Sequence, residues 1–310
     1  MNKRQKQVQL YLYNNEKELI KELKRIYRKA LDDINTKIAD LLARTDLENL
    51  SSIIYQVDYQ KALKRQINAI LDDLYTHNFT SVSEYLTNCY TDAFIGTLYD
   101  LQGQGIPLIF PIDQEQVVKA LNTNSQIKEG LYKKLGINID EFKKSIAGEI
   151  SRGISQSYSY QQIALNLKNR SNVDFNKTLR IARTEGHRIQ QEATFNCQQK
   201  AEDNGAEIMK QWDATLDGKT RPNHIYLDGQ IRKVKEYFEI GGYKALYPSG
   251  FGIAEEDINC RCCLLQRAKW ALKNKKSITK MDGNTNKLVT IKANNYDEFK
   301  EKYWGEINKW

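Results

Sequence analysis

"VDFNKTLRIARTEGHRIQQEATFNCQQKAEDNGAEIMKQWDA", residues 173–214, is where this chain changes character. Its first part reads as a helix that Asp174 or Asn176 can cap, with Gly205 suited to the position just past the end. "EIMKQWDA" then alternates in the manner of a strand. Downstream, "TLDGKTRPNH" is a turn, "LDGQIRKV" a turn running into a second strand, and "IGGYKALYPSGFGIAEEDINCRC" a loop-rich stretch. "LVTIKA" (288–293) reads as a later strand and "NNYDEFKEKYW" (294–304) as a short closing helix. A helix followed by strands and irregular connections predicts a small α+β domain.

Upstream the pattern is helical. From Glu18, the residues Leu19, Leu23, Ile26, Ala30, Ile34, Ile38 and Leu41 recur at three- and four-residue spacing, with Asn14 or Asn15 as a cap and an end near Arg44. A second run carries Leu63, Ile67, Ile70, Leu71 and Leu74, and a third Val82, Tyr85, Leu86, Ala93, Phe94 and Leu98. Separate runs of this length pack as antiparallel neighbours in a bundle. "LQGQGIPLIFPID" (101–113) interrupts them with two glycines and two prolines, and reads as a hinge or partner-docking loop. Helical spacing resumes in "DQEQVVKALN" (113–122) and from Ser125 to about Arg152. The expected fold class is therefore α+β: a mostly helical N-terminal region, then a small α+β domain with a short sheet and a loop-rich end.

Composition narrows the function classes. The 310 residues are 40% hydrophobic and 28% charged, as in a globular chain, and no apolar run approaches the roughly 18 residues a membrane span needs. The basic start is not followed by an apolar segment of secretory type. Five cysteines make an odd number, with three crowded into Cys260, Cys262 and Cys263, so a disulfide framework is not expected and the reading is a reducing cytoplasm. A net charge of +8 permits contact with a polyanion without requiring it.

The informative residues lie in the second part. Arg183, Thr184 and Glu185 fall mid-helix, and Trp212 with Asp213 ends a strand. Arg221, His224, Asp228 and Gly229 follow in "TRPNHIYLDG", then Asn259, Cys260, Arg261 and Cys262 in "NCRC". In this order and spacing, with "ARTEGHRIQQEA" and the loop "LYPSGFGIAEED", they resemble the phage head morphogenesis family, the minor head proteins similar to the F protein of phage Mu. The resemblance covers residues 172–266. It implies a helical region at 1–171 for portal and head-protein interaction, a Mu F-like domain at 172–266, and a C-terminal extension at 267–310. It also implies a minor capsid protein of a tailed phage or prophage, acting in procapsid assembly in the host cytoplasm and retained in the virion head. Its partners would be the portal, scaffold or major head proteins and packaged duplex DNA, with no membrane. Cys263 and the forty-odd residues after it depart from the pattern.

Two readings of the cysteines stay open. Cys260 and Cys262 can place two thiolates on one tetrahedral ion with the His224 nitrogen, a structural zinc clip whose fourth ligand is Cys263, His187, Asp228 or water. Alternatively the thiols are small buried hydrophobes and His224 bonds the backbone. Arg183 and Glu185, two positions apart on a helix, cannot pair with each other, and Arg221, Arg261 and Asp228 are their expected partners. An enzyme is the competing class. Cys260 with His224 could be a nucleophile and base, and His187, Asn223, His224 and Asp228 could be drawn as a metal-dependent nuclease site. The sequence shows no phosphate-binding glycine motif to support either. For DNA, the expected contacts are the 21–29 segment and Arg267, Lys269, Trp270, Lys273, Lys275 and Lys276, a cluster without an acid.

Overall fold

The computed structural model describes residues 1–44, 53–122, 141–149, 152, 160–272 and 296–307. The fold is mostly helical α+β. Its helices are α1 (Lys3–Arg44), α2 (Ile53–Gly103), α3 (Gln114–Asn122), α4 (residues 141–149) and α5 (Tyr160–Asp203). The shorter α6 (Pro222–Leu227), α7 (Ala254–Asp257), α8 (Lys269–Leu272) and α9 (Tyr296–Ile307) follow among the strands and after them. The strands are β1 (Ile208–Asp213), β2 (Ile231–Arg232), β3 (Phe238–Ile240), β4 (Tyr243–Ala245) and β5 (Cys263–Ala268).

The chain forms two compact units, each discontinuous in sequence. One comprises Met1–Glu16, Tyr85–Glu129 and Arg183–Trp310; the other comprises Lys17–Glu84 and Gly130–Ala182. This division differs from a linear one at 171 and 266 because α1, α2 and α5 each contribute residues to both units. It also explains why the two apolar runs between Leu63 and Leu98, expected as separate antiparallel helices, are one helix. Nothing in "YTHNFTS" breaks α2, and only its burial changes. Before Glu84 it buries a stripe of Ile67, Leu71 and Leu74 in the all-helical unit; beyond it, residues 92–101 are all buried.

In the all-helical unit, Ile26, Ala30, Ile34 and Ile38 of α1 pack with Ile67, Leu71 and Leu74 of α2, Phe142 and Ile146 of α4, and Ile163 and Leu167 of α5. Asp174 does not cap α5, which begins fourteen residues earlier. It is a buried acceptor for the Tyr27 hydroxyl at 2.7 Å, and its charge together with burial raises the Tyr27 phenol well above its ordinary range. Asn15 likewise caps nothing; its amide donates to Asp92 at 2.9 Å. The start of α1 is held by Asn2 and Gln5, each accepting the other's backbone N–H at 2.9 Å. Asn-x-x-Gln is the sequence signature of this reciprocal cap.

In the α+β unit, β1 is the middle strand of an antiparallel sheet ordered β2-β1-β5, and β3 pairs with β4 through Gly241 and Gly242, both at positive φ. The Gly-Gly turn is the hairpin signal that the loop-rich reading passed over. Gly205 does end α5: its N–H bonds Glu202 O and that of Ala206 bonds Ala201 O, with φ +84 at the glycine. The "LQGQGIPLIFPID" segment is not an exposed docking loop, since Ile106, Leu108, Ile109 and Phe110 are all in the core. β5 begins directly after the "NCRC" motif, where no strand was expected. The expected strand "LVTIKA" lies outside the described residues.

Gly186, inside "RTEGHR", marks a close approach: a Cβ there would lie 2.7 Å from Tyr85 Cε1 and 2.9 Å from its hydroxyl. We therefore expect Gly186→Ala to lower stability by about 1–3 kcal/mol through overpacking. Gly305→Ala, where a Cβ meets nothing, should be neutral or raise it by up to about 1 kcal/mol. Urea unfolding of both variants checks this, and equal effects would remove the steric account.

Candidate functional site

β1 and β5 pair in the register Asp213↔Cys263, Trp212↔Leu264 through to Ile208↔Ala268. This places Cys260 and Cys262 just before the strand, opposite the end of β1. Trp212 is fully buried, with its ring against His224 (5.7 Å), Phe238 (5.2 Å) and Phe251 (5.7 Å). His224 is brought there by α6. Pro222 starts that helix, where the absent N–H costs nothing, and Asp228 ends it. Gly229 follows at φ +75, its N–H bonded to Trp212 O at 2.9 Å.

His224, Cys260 and Cys262 converge, with ligand atoms all within 4.8 Å of one another. His224 Nδ1 lies 3.2 Å from Cys262 Sγ and 3.6 Å from Cys260 Sγ. Its other nitrogen, Nε2, lies 3.0 Å from Glu256 Oε2, whose second oxygen accepts from the Asn223 amide at 2.7 Å. His187 on α5 enters from the other side, with Nε2 2.8 Å from Cys262 O. The two thiols share their protons. Hydrogen bonds from Cys262, and then from His187 and His224, hold the Cys260 thiol well below its ordinary range against the effect of burial. The hydrogen bond to Cys260, then burial, then the charge on Cys260 push Cys262 up. One proton leaves the pair readily and the second with difficulty. Cys263 points elsewhere, its thiol donating to Gln9 Oε1 at 3.3 Å.

The remaining motif residues pin loops. Arg221 Nη2 donates to Ile258 O at 2.6 Å, just ahead of Cys260. Arg261 forms two bonds to Asp217, at 2.6 and 2.7 Å, and its guanidinium holds that carboxyl far below the usual range. Asp228 Oδ1 accepts the Ala214 N–H at 2.8 Å, and Asp257 accepts those of Phe251 and Gly252. Asn259 adopts φ +55, a conformation asparagine tolerates, and its N–H reaches Thr184 Oγ1 at 3.4 Å. The network expected around Arg183 and Glu185 takes another form. Arg183 pairs with Glu16 at 2.6 Å near the surface. Glu185 meets buried Arg188, which also binds Glu192 and Ala120 O. The nuclease constellation does not assemble either, because Asn223 serves Glu256 and Asp228 serves Ala214.

Of the expected DNA contacts, Arg267 is a β5 residue whose Nε donates to Gln211 at 2.6 Å, which holds its guanidinium against the sheet. Lys269 and Trp270 are exposed on α8. Lys273, Lys275 and Lys276 lie outside the described residues.

Known proteins bear on this arrangement. Over 289 residues the chain is 27% identical to a protein named Minor head protein GP7 of Bacillus phage SPP1, covering 92% of this chain and 89% of that one. Residues 144–265 match the family described as Phage Mu protein F like protein. Over residues 144–265 the chain is phage Mu F-like. The match takes in α5, β1, β2, the start of β5 and every residue of the His–Cys cluster. The chain is also 31% identical over 271 residues to a protein named NAD(+)--arginine ADP-ribosyltransferase EFV of Enterococcus faecalis (strain ATCC 700802 / V583), covering 86% of this chain. It spans only 55% of that protein's length. No solved structure matches the chain.

Lys210 was passed over by sequence reasoning because a charged side chain argues for solvent, although the alternation of β1 groups it with Ile208 and Trp212 on the buried face. It is fully buried, donates to Leu246 O at 2.8 Å, and sits over the Phe195 and Phe238 rings at 5.2 Å each. Burial pushes its ammonium down to about 7 from 10.5. Between those values the unfolded chain holds a proton that the folded chain lacks, so this residue's contribution to stability rises with pH from about 7 to 10.5. Below 7 it is a constant cost. The slope is at most about 1.4 kcal/mol per pH unit. Urea unfolding from pH 7 to 10 should show wild type gaining on Lys210→Met. A gap that stays constant across that range would mean the buried amine does not titrate there.

Proposed function

We propose that this chain is a minor head component of a tailed phage or prophage. In this reading it joins the head during procapsid assembly by binding the portal and other head proteins, and acts by binding, not turnover. The observation that carries the reading is the match to Minor head protein GP7 along nine-tenths of both chains. The site supports it: His224, Cys260 and Cys262 are 2%, 5% and 2% exposed, so a substrate has no approach to the thiols. Its place is the procapsid interior and then the virion head, after synthesis in the host cytoplasm. Among the described residues no helix is long and apolar enough to cross a membrane.

The reading is tested by co-expressing the chain with the portal and scaffold of the same phage. The chain should co-sediment with procapsids and with isolated portal. Procapsids that form normally and exclude it would overturn the reading.

Packaged duplex DNA is the second contact assigned here, supported by the charge of +8 and by exposed Lys269 and Trp270. The 21–29 segment is the weaker candidate, since Lys21 and Arg25 are neutralised by Glu18 and Glu22. Changing Arg267, Lys269, Lys273, Lys275 and Lys276 to Gln should flatten the salt dependence of binding by about 0.9 in log–log slope per lost phosphate contact. Fluorescence anisotropy on duplex DNA across salt measures it, and an unchanged slope excludes the segment.

An enzyme is the second reading, favoured by the 31% identity to the protein named as an arginine ADP-ribosyltransferase. We expect the purified chain neither to transfer ADP-ribose from NAD to an arginine acceptor nor to cut DNA with magnesium, manganese or zinc. Either activity, lost in His224→Ala, would reverse the assignment.

A further inference from the structure

We propose that His187, His224, Cys260 and Cys262 form a four-ligand site for one structural zinc ion. The spacing of the donors fits. Zinc bonds of about 2.0–2.1 Å to nitrogen and 2.3 Å to sulfur at tetrahedral angles put N and S about 3.6 Å apart. His224 Nδ1 stands 3.2 and 3.6 Å from the two sulfurs.

The tautomers fit as well. His224 Nε2 and Glu256 Oε2 are both buried, 3.0 Å apart, and neither has a hydrogen bond to any other atom among the described residues. A proton on Nε2 facing that carboxylate leaves Nδ1 as a bare lone pair aimed at the two sulfurs. A metal-bound histidine shows this arrangement, its far nitrogen fixed by a carboxylate. His187 is not among the donors already within 4.8 Å of one another, but its Nε2 lies 2.8 Å from Cys262 O and its ring contacts the Cys260 thiol, so a reorientation of that ring is what would complete the set.

The alternatives for the fourth place are occupied. Cys263 is bonded to Gln9, and Asp228 to Ala214 N. Two thiolates with two imidazoles suit zinc better than magnesium or calcium, which take oxygen. The ion would tie α5, α6 and the segment entering β5 at one point. Residues 246–262, which supply few large apolar side chains, are where such a tie acts most.

The full chain, purified without chelator, should carry close to one zinc per molecule. Stripped and reloaded with cobalt(II), it should show thiolate-to-cobalt charge transfer and the strong visible bands of four-coordinate cobalt. Cys263→Ser should keep both signals, Cys260→Ser and Cys262→Ser should each weaken the charge transfer and the double variant abolish it, and His187→Ala should shift the four-coordinate bands. Glu256→Ala, which positions His224 without touching the ion, should weaken cobalt affinity by roughly 10- to 100-fold. Should the ligand variants not fold, the wild type still decides: chelation should speed alkylation of Cys260 and Cys262 but not of Cys263. Metal-free protein with no cobalt spectrum, or alkylation indifferent to chelator, would overturn the site. A His187→Ala spectrum identical to wild type would overturn its fourth ligand.

Discussion

The antiparallel pairing of β1 with β5 is the constraint on which the α+β unit depends. It joins residues 208–213 to 263–268, across some fifty residues of turns and short elements, and so delivers the Cys-x-Cys segment to the end of β1. Among the described residues, no strand pairs with the far edge of β5. It is met by side chains: His187 at Cys262 O, Gln191 Oε1 accepting the Leu264 N–H at 2.7 Å, Gln5 and Gln104 donating to Gln266 O, and Gln104 Oε1 accepting the Ala268 N–H. A helix rises about 6 Å in four residues and a strand about 6.6 Å in two. His187 and Gln191, four apart on α5, therefore match Cys262 and Leu264, two apart on the chain entering β5. An edge capped in this way cannot recruit a foreign strand.

The same helix carries a further polar row. Arg188 lies between Glu185 and Glu192, all three buried, with Ala120 O completing the guanidinium's bonds. Burial raises the Glu192 carboxyl, opposed by the arginine. A buried cluster of this kind adds little net stability over an apolar one. Removing one member, however, strands the others and costs about 3–5 kcal/mol. The bridges pinning the motif loops are of the other kind. Arg261–Asp217 is exposed and bidentate, and sets geometry more than it adds stability. Buried polar groups thus hold α5 to its neighbours, and surface pairs shape the turns that hold His224 and the thiols.

Much of this was legible in residue order. Gly205 past the end of α5, the alternation of β1, the "DGQIR" turn into β2 and the closing helix all rest on local preferences that the tertiary structure leaves in force. The motif residues were legible as a set, but their partners were not. Arg221, Arg261 and Asp228 were expected to meet the helix charges at Arg183 and Glu185; instead Arg221 and Asp228 bond backbone at Ile258 and Ala214, and Arg261 the Asp217 carboxylate. Local sequence cannot say which carbonyl a guanidinium will find once a loop has folded.

What the sequence determined by itself was the class of fold, the place where helices give way to strands, and the family, because these depend on periodicity, turn residues and motif spacing. Only the tertiary structure decided what is inside. "RTEGHRIQQEAT" reads as a solvated helical face, yet from Thr184 to Thr194 only His187 escapes full burial. Lys210 carries a charge that argues for solvent, yet it shares the face of Ile208 and Trp212 and is fully buried. In both cases the polar atoms have found partners from distant segments, and hydrogen-bonding capacity, unlike hydrophobicity, leaves no period in the sequence.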